Sequence, residues 1–446
     1  MAQRQGIFQR FRGAQARRWG PLVLVAFVPA CLLGFDSEGL NGDGAGSPAG
    51  DAGQGGQAGA GAGRQGEGGT SGGGAQSGSG GTGGGGASGA SGSGSGSGGG
   101  GGTSGGEGCE RTRPEVCLPE ALDDAENCCA LGRSCQGGSC LAGECSAVKA
   151  AASASAKDEE VLDVVVAAGK IYWTSGFGSK LYMSPVGGGP VFTHATSNEV
   201  GERYITRLAA DATHVYYTNF GSGRIARVPL EGGAIEVVAE LSGEPKPAAG
   251  FGQITVAGGY AFWSMENTGG VYAASLASLP AEPKRLDPGF SRGIATDDTH
   301  VYWGTENSTI VRLPLADLSA DAQLVVEAQG TLRDIEVAGD RVYWANFESV
   351  NSADKNGVNR LVVPLYQNGP TIPFGIASDG VHVYITTAGL ARESERGTLY
   401  RIPLLGGPPV ALAATQTFGD MRAVVLDCNT IYLANNGDGN VLKLTR

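Results

Sequence analysis

An aliphatic residue stands eight positions before an aromatic residue seven times along this chain. The pairs are Val164 and Tyr172, Leu208 and Tyr216, Ile254 and Phe262, Ile294 and Tyr302, Ile335 and Tyr343, Ile376 and Tyr384, and Val424 and Tyr432. The aromatic residues recur at intervals of 44, 46, 40, 41, 41 and 48 residues. Because about 40 to 50 residues form one β-propeller blade, this period predicts a propeller.

Each repeat is predicted to contain four strands, and the strand count predicts the number of blades. Turn residues separate short segments rich in β-branched and aromatic residues, and no segment has a sustained helical period. The first three strands occur seven times, whereas a fourth strand can be found at most six times, since the sequence given stops after the third strand of the last repeat. Residues Ser146 to Ala152 are expected to supply the missing strand and close the ring. We therefore predict an all-β, seven-bladed propeller over residues 146–446, with six or eight blades as alternatives.

The second strands resemble those of the YWTD-type propellers of the LDL-receptor class. The matching segments are Tyr172-Trp173-Thr174-Ser175, Tyr216-Tyr217-Thr218-Asn219, Tyr302-Trp303-Gly304-Thr305 and Tyr343-Trp344-Ala345-Asn346. Third strands such as 223–232 match the continuation of that repeat. The resemblance covers residues 159–446 and implies a propeller, with six blades in that family. Streptogramin-lyase-like propellers are also similar, with seven blades and Gly-rich turns, but their catalytic residues have no match here.

The segments before residue 109 predict export. Residues 1–30 carry five arginines, no acid and a short apolar run, as expected of a signal peptide. The segment Val28-Pro29-Ala30-Cys31 resembles a bacterial lipobox, which implies lipidation at Cys31; plain secretion and an uncleaved anchor are the alternatives. Residues 31–108 are predicted to be a disordered linker, because residues 41–108 hold 35 glycines among 68 residues and little that could be buried.

Charge and localisation follow from the same segments. The net charge of −12 becomes still more negative once the basic signal peptide is removed, which argues against a nucleic-acid partner. We expect an outer-membrane or cell-surface lipoprotein, otherwise a secreted or periplasmic protein, that touches the membrane through its lipid anchor and is a monomer.

Residues 109–145 are predicted to be a small module held together by disulfides. Seven cysteines lie in this segment: Cys109, Cys117, Cys128, Cys129, Cys135, Cys140 and Cys145. Such density in an exported chain indicates disulfides, whereas zinc is not expected because the segment contains neither a Cys-x-x-Cys pair nor a histidine. Cys428, in the last repeat, is expected to bridge to a module cysteine, with Cys140 a better partner than Cys145; a free thiol is the alternative.

Other motifs are interpreted as structural, and no cofactor or metal is expected. His214, His300 and His382 share one repeat position, two residues before the aromatic residue, so they are assigned to the blade. The segment 435–439 has one carboxylate, Asp438, which is too few for a calcium site, so we predict a hairpin loop.

The candidate ligand site lies on the first strands, which line the central channel of a propeller. Directly before the aliphatic residues stand Asp163, Arg207, Gln253, Gly293, Asp334, Gly375 and Ala423, with Glu336 on the same face as Asp334. One position earlier, where the strands begin, stand Leu162, Thr206, Gly252, Arg292, Arg333, Phe374 and Arg422. Of these two rings, the predicted ligand-binding residues are Arg292, Arg333, Phe374, Arg422, Asp163, Arg207, Gln253, Asp334 and Glu336. Solvated channel walls and inter-blade salt bridges are the alternative.

These features predict a surface-tethered protein that binds or scaffolds an extracellular or periplasmic ligand, which could be a protein, a peptide or a glycan. Arg292, Arg333 and Arg422 are expected to converge on an anionic group, for which the guanidinium fork is suited. The alternative is an extracytoplasmic lyase or hydrolase that uses channel carboxylates such as Asp334 and Glu336. We assign no catalytic residue.

Overall fold

The residues that the computed structural model describes all lie within Gly86–Arg446. The described residues are 97–98, 128–129, 134–141, 144–152, 160–175, 179–196, 205–220, 222–241, 250–266, 269–327, 330–347, 349–364, 372–388, 396–404, 408–415 and 419–446. The predicted signal peptide, the predicted lipidation site Cys31, nearly all of the predicted linker, Cys109 and Cys117 lie outside these residues. None of the described residues is helical, and among them no apolar helix is long enough to cross a bilayer.

The fold is a β-propeller of seven four-stranded antiparallel sheets, which confirms the predicted fold class. The first strands are β5 Val164–Ala167, β9 Ile205–Ala210, β13 Phe251–Ala257, β17 Ile294–Thr296, β21 Leu332–Ala338, β25 Pro373–Ser378 and β29 Met421–Asp427. The second strands are β6 Lys170–Ser175, β10 His214–Asn219, β14 Tyr260–Met265, β18 His300–Gly304, β22 Arg341–Asn346, β26 His382–Thr387 and β30 Thr430–Asn435. First strands of consecutive blades lie side by side, and β29 lies beside β5, so the ring is closed.

The outer half of each blade consists of the third and fourth strands. The third strands are β7 Lys180–Pro185, β11 Arg224–Pro229, β15 Val271–Ser275, β19 Thr309–Pro314, β23 Ser349–Asp354, β27 Thr398–Pro403 and β31 Asn440–Thr445. The fourth strands are β8 Phe192–Thr196, β12 Glu236–Glu240, β16 Lys284–Asp287, β20 Gln323–Glu327, β24 Leu361–Pro364, β28 Val410–Ala414 and β4 Val148–Ala152. Blades 1 to 7 are numbered here in the order of their first strands, from β5 to β29. Two further residues, β1 Ser97–Gly98, pair with β13.

Ring closure takes place in blade 7, as the strand count predicts. Strand β4 pairs antiparallel with β31, with Lys149 opposite Leu442 and Ala151 opposite Val441. An early strand therefore covers the edge that the last strand would otherwise expose.

The core lies between the blades, where the seven aliphatic residues and their aromatic partners pack. All seven aliphatic residues of the repeat are fully buried, as predicted: Val164, Leu208, Ile254, Ile294, Ile335, Ile376 and Val424. The aromatic residue of a repeat can pack against the next blade: Tyr172 of blade 1 lies in one hydrophobic cluster with buried residues of blade 2. Because successive side chains of a strand point to opposite faces of the sheet, each blade contributes side chains to the space on either side of it, and two neighbouring blades together fill the space between them.

Two kinds of blade alternate around the ring, a feature that the single-blade period does not show. Blades 2, 4 and 6 carry an Asp-x-x-His turn between the first two strands: Asp211 to His214, Asp297 to His300, and Asp379 to His382. Blades 1, 3 and 5 instead carry a turn with Gly169, Gly259 or Gly339, and a buried polar residue directly before the aliphatic residue of the repeat: Asp163, Gln253 and Asp334. Three two-blade units and one single blade therefore make up the ring.

The cysteine-rich module is docked onto blades 6 and 7. Its hairpin consists of β2 Cys140–Leu141 and β3 Glu144–Cys145, and disulfides join Cys128 to Cys140 and Cys135 to Cys145. The Glu144 carboxylate accepts two hydrogen bonds from Arg401 of blade 6, at 2.7 and 2.8 Å. Thr445 Oγ1 donates to Ser134 O at 2.8 Å, and Gln136 Nε2 donates to Thr430 Oγ1 at 3.2 Å.

Cys428 is disulfide-bonded rather than a free thiol, and Cys129 is also disulfide-bonded; the bridge from Cys428 to a module cysteine stays a prediction. The suggestion that Cys140 is the better partner for Cys428 is wrong, because Cys140 is bonded to Cys128. Cys140 and Cys145 lie opposite each other in the hairpin, and each is held by a cysteine that precedes the hairpin.

Candidate binding site at the channel mouth

Arginine and phenylalanine side chains stack in an arc where the first strands begin. The Arg333 guanidinium carbon lies 5.2 Å from the centre of the Phe347 ring and 5.7 Å from that of Phe374. The Arg422 guanidinium lies 4.3 Å from the centre of the same Phe374 ring. Phe374 therefore contacts two guanidinium groups, and the series Phe347, Arg333, Phe374, Arg422 crosses blades 5, 6 and 7. We call these four residues the mouth arc.

Two of the three arginines that sequence analysis aligned at this position are paired with carboxylates. Arg422 binds Asp420 at 2.7 Å, and Arg292 lies 3.5 Å from Glu266 and stacks on Phe290 at 5.4 Å. Arg333 donates one hydrogen bond, from Nε to the carbonyl oxygen of Pro373 at 3.5 Å. Among the residues that the structure describes, no carboxylate lies within ion-pair distance of Arg333.

Arg207 interacts electrostatically with Arg422 of the mouth arc. Burial lowers the pKa of Arg422; Asp420 opposes this effect, and the positive charge of Arg207 adds to it. Arg207 also acts on the carboxylates of Asp163 and Asp334, in blades 1 and 5. The structure thus brings Arg333 and Arg422 together around Phe374 with Arg207 close to Arg422, whereas Arg292 has its own partners, Glu266 and Phe290.

The two predicted rings differ in accessibility. At the strand beginnings, Arg292, Arg333, Phe374 and Arg422 are all partly exposed. In the next ring Arg207 is partly exposed, whereas Asp163, Gln253 and Asp334 are buried, as is Glu336. The expectation that this second ring presents its side chains to an open channel is therefore wrong for those four residues. Ligand binding by either ring remains a prediction.

The buried residues of this ring connect neighbouring blades, and we call Asp163, Gln253 and Asp334 the clasp residues. Each accepts a hydrogen bond from the backbone N–H of the aliphatic residue in the following blade. The bonds are Leu208 N to Asp163 at 2.8 Å, Ile294 N to Gln253 at 2.9 Å, and Ile376 N to Asp334 at 3.0 Å. Gln253 also donates to Asp334. Gly293 of the blade between them lies so close to the backbone of Ile335 that a Cβ there would meet Ile335 N at 2.9 Å.

Burial raises the pKa of the two clasp carboxylates. The pKa of Asp163 is raised to about 6, because burial outweighs the opposing effects of Arg207 and of two backbone N–H donors. The pKa of Asp334 is raised well above its ordinary value for the same main reason, burial. Their acceptor sites are directed at protein donors, which is the geometry of a structural clasp rather than of a general acid or base facing substrate.

Sequence analysis missed a set of second-strand hydroxyls that complete the clasp. Each accepts the backbone N–H of the residue just before the aliphatic position, and the acceptors are Thr174 at 3.1 Å, Thr218 at 3.1 Å, Ser264 at 3.0 Å and Thr386 at 2.9 Å. A signal was present, since a Thr or Ser recurs two residues after the repeat aromatic in these blades. The hydroxyl fixes the start of the first strand, on which the mouth residues stand.

The three repeat histidines lie at the opposite ends of the first strands, in the Asp-x-x-His turns. In each turn the aspartate accepts the histidine N–H, and its other oxygen accepts a tyrosine hydroxyl, as Asp297 does from Tyr302 at 2.9 Å. A cation from the next blade adds to two turns: Lys355 lies 2.6 Å from Asp297, and Arg446 lies 3.6 Å from Asp379. These contacts confirm the structural interpretation of His214, His300 and His382.

No described group has the chemistry of a metal site. The sulfurs of Cys128, Cys135 and Cys140 lie within 4.8 Å of one another, but all three belong to disulfides and offer no thiolate. In the segment 435–439, Asn435 donates to Asp438 at 2.9 Å, as expected for a hairpin loop.

Two solved lyases share this fold at low sequence identity. Virginiamycin B lyase from Staphylococcus aureus is 14% identical, with a TM-score of 0.55, and the match covers 67% of this chain and 99% of the lyase. A streptogramin B lyase is 12% identical, with a TM-score of 0.54, covering 67% of this chain and 97% of that one. No model of a protein family matches the chain, and no curated protein does. Such identities show the fold alone, so the YWTD-type resemblance stays a prediction.

Proposed function

We propose that the propeller is an extracytoplasmic binding domain and that its ligand occupies the mouth arc. The observation that supports this most is Phe374, whose ring contacts the guanidinium groups of both Arg333 and Arg422 while all three side chains remain partly exposed. Aromatic and arginine side chains on rigid strands are typical of binding hot spots. The clasp residues beneath them hold the first strands in place.

The lyase or hydrolase alternative has less support. A catalytic carboxylate must reach its substrate, but Asp334 is fully buried and accepts hydrogen bonds from Ile335, Ile376 and Gln253. Its raised pKa follows from that burial. We therefore favour binding over catalysis, and place the ligand at the mouth arc rather than at Asp334 and Glu336.

A binding screen with a matched control variant tests this proposal. The purified domain is applied to arrays of extracellular glycans and peptides, and each hit is remeasured with Phe374→Ala and Phe192→Ala. Phe192 is a suitable control because it lies on an outer strand and is about half exposed, at 49%. We expect Phe374→Ala to abolish binding and Phe192→Ala to leave it unchanged. Equal affinity of both variants for every ligand found would contradict the proposed site.

We also propose export and anchoring through a lipid on Cys31. The basic start, the apolar run and Cys31 support this, and the disulfides of the module suit an oxidising compartment. Replacing Cys31 by Ser in the full chain should move the protein from the membrane fraction to the soluble fraction. A variant that stays with membranes after a carbonate wash would contradict lipid anchoring.

A further inference from the structure

We infer that Arg333 binds a carboxylate of the ligand, and that the ligand carries a flat apolar or sugar face beside this carboxylate which packs on Phe347. This inference rests on the binding function proposed above and names the chemistry that the mouth arc recognises.

Arg333 is the cation of the mouth arc that is available for a ligand. Its guanidinium carbon lies 5.2 Å from the centre of the Phe347 ring and 5.7 Å from that of Phe374. A guanidinium that packs on aromatic rings still offers its N–H donors to acceptors in its own plane. Only Nε of Arg333 donates a hydrogen bond to a described residue, so its two terminal nitrogens are not satisfied by the part of the protein that the structure describes.

A carboxylate is favoured by how the chain itself pairs the other arginines at the strand beginnings. Arg422 and Arg292 each have a carboxylate of the same protein beside them, Asp420 at 2.7 Å and Glu266 at 3.5 Å. A carboxylate offers two coplanar oxygens, which match the guanidinium fork. The chain has a net charge of −12, which disfavours long polyanions, so a single compact anionic group suits this local cluster better.

The second part of the ligand follows from Phe347. This side chain is 37% exposed, although a large apolar residue gains stability from burial, and it lies directly against Arg333. A ligand whose carboxylate reaches Arg333 therefore brings its adjoining group over or beside the Phe347 ring. Two sources supply this chemistry: a uronic acid, whose C–H face stacks on aromatic rings, and a peptide that ends in an aromatic residue with a free carboxylate.

The test is isothermal titration with two pairs of probes. One pair is a glucuronate-containing oligosaccharide and its neutral glucose counterpart; the other is an acetylated peptide ending in phenylalanine, as the free acid and as the amide. Only the charged member of a pair should bind, and the pair that responds identifies the source. Arg333→Gln should weaken binding about 10- to 100-fold, the loss expected for charge-assisted hydrogen bonds. Arg333→Lys should also weaken it about tenfold, since the ammonium lacks the fork.

Arg285→Gln is the matched control. Arg285 also stacks on an aromatic ring, Tyr272 at 5.8 Å, but it stands on the outer strand β16, so binding should be unchanged. Thermal melts of all variants show whether they fold. Equal binding of the neutral probes, or wild-type affinity of folded Arg333→Gln, would overturn the carboxylate inference while leaving a mouth site intact. If no probe binds and the array ligands are insensitive to Phe374→Ala, the proposed function itself fails.

Discussion

Two sets of aspartates lie at the two ends of the first strands, and their pKa values shift in opposite directions. At the mouth, Asp163 and Asp334 accept bonds from backbone N–H and amide groups, and burial raises their pKa. In the turns, burial acts in the same sense on Asp297 and Asp379, but hydrogen bonds outweigh it, led by Lys355 for Asp297 and by His382 for Asp379, and the pKa is lowered. Burial alone therefore does not decide the charge state of a carboxylate; the hydrogen bonds and charges around it decide whether the effect of burial is overcome.

The largest effect is expected from Asp334→Ala. This change leaves the backbone N–H groups of Ile335 and Ile376 and the Gln253 amide without their acceptor in a buried site. At about 1 to 3 kcal/mol for each of these three unsatisfied donors, the free energy of unfolding should fall by about 3 to 9 kcal/mol. Urea unfolding followed by tryptophan fluorescence measures it. Asp340→Ala, in an exposed turn of the same blade, should have little effect. A loss for Asp334→Ala as small as that of the control would contradict the clasp.

The second prediction concerns the pH dependence that Asp163 gives to stability. Its folded pKa of about 6 exceeds the 3.8 of an unperturbed aspartate, so the folded state binds the proton more tightly than the unfolded state does. The contribution of protonated Asp163 to the free energy of unfolding is present below pH 4 and is lost as the pH rises through about 6. Relative to Asp163→Asn, the wild type should lose about 2 kcal/mol between pH 4 and pH 7. A difference between the two proteins that does not change with pH would show that Asp163 does not titrate in this range.

The smallest effect is expected from Lys355→Met in the Asp297 turn. The pKa of Asp297 is lowered in the folded state, so the ionised carboxylate stabilises the fold. This contribution to the free energy of unfolding is present above pH 4 and is lost as the pH falls. The pair is partly exposed, so removing Lys355 should cost about 1 kcal/mol at pH 7 and less at pH 3. Lys284→Met, on an outer strand, serves as the control. An effect that grows at low pH would contradict the assigned partner.

The fold was predictable from the sequence because its causes repeat. The seven aliphatic and aromatic pairs correspond to the seven spaces between blades. The missing fourth strand of the last repeat indicates that Ser146 to Ala152 closes the ring. The alternation of two blade types was equally present in the sequence. An alignment of all seven repeats on a single-blade period does not show this alternation. It appears only when every second repeat is compared, because the clasp residues belong to blades 1, 3 and 5 and the Asp-x-x-His turns to blades 2, 4 and 6.

The site was predictable only in part, because contacts between blades depend on distances that a repeat does not encode. The alignment placed Arg292, Arg333 and Arg422 at one position, and their partial exposure agrees with a channel mouth. It could not show that Phe374 lies between Arg333 and Arg422, or that Asp334 turns to the backbone of the next blade. Strand alternation predicts a direction for a side chain, whereas the neighbouring blade decides whether that direction leads to solvent.

The docking of the cysteine-rich module also has a mechanical consequence. Tension applied to the chain ahead of Cys128 reaches the module before it reaches β4, and the module is held to blades 6 and 7 by the Glu144 carboxylate on Arg401 and by Ser134 and Gln136. Strand β4, whose removal would open the ring, therefore lies behind a separate attachment. A propeller closed by an early strand is vulnerable to peeling from that end, and here the strand is shielded from the pull by the module that precedes it.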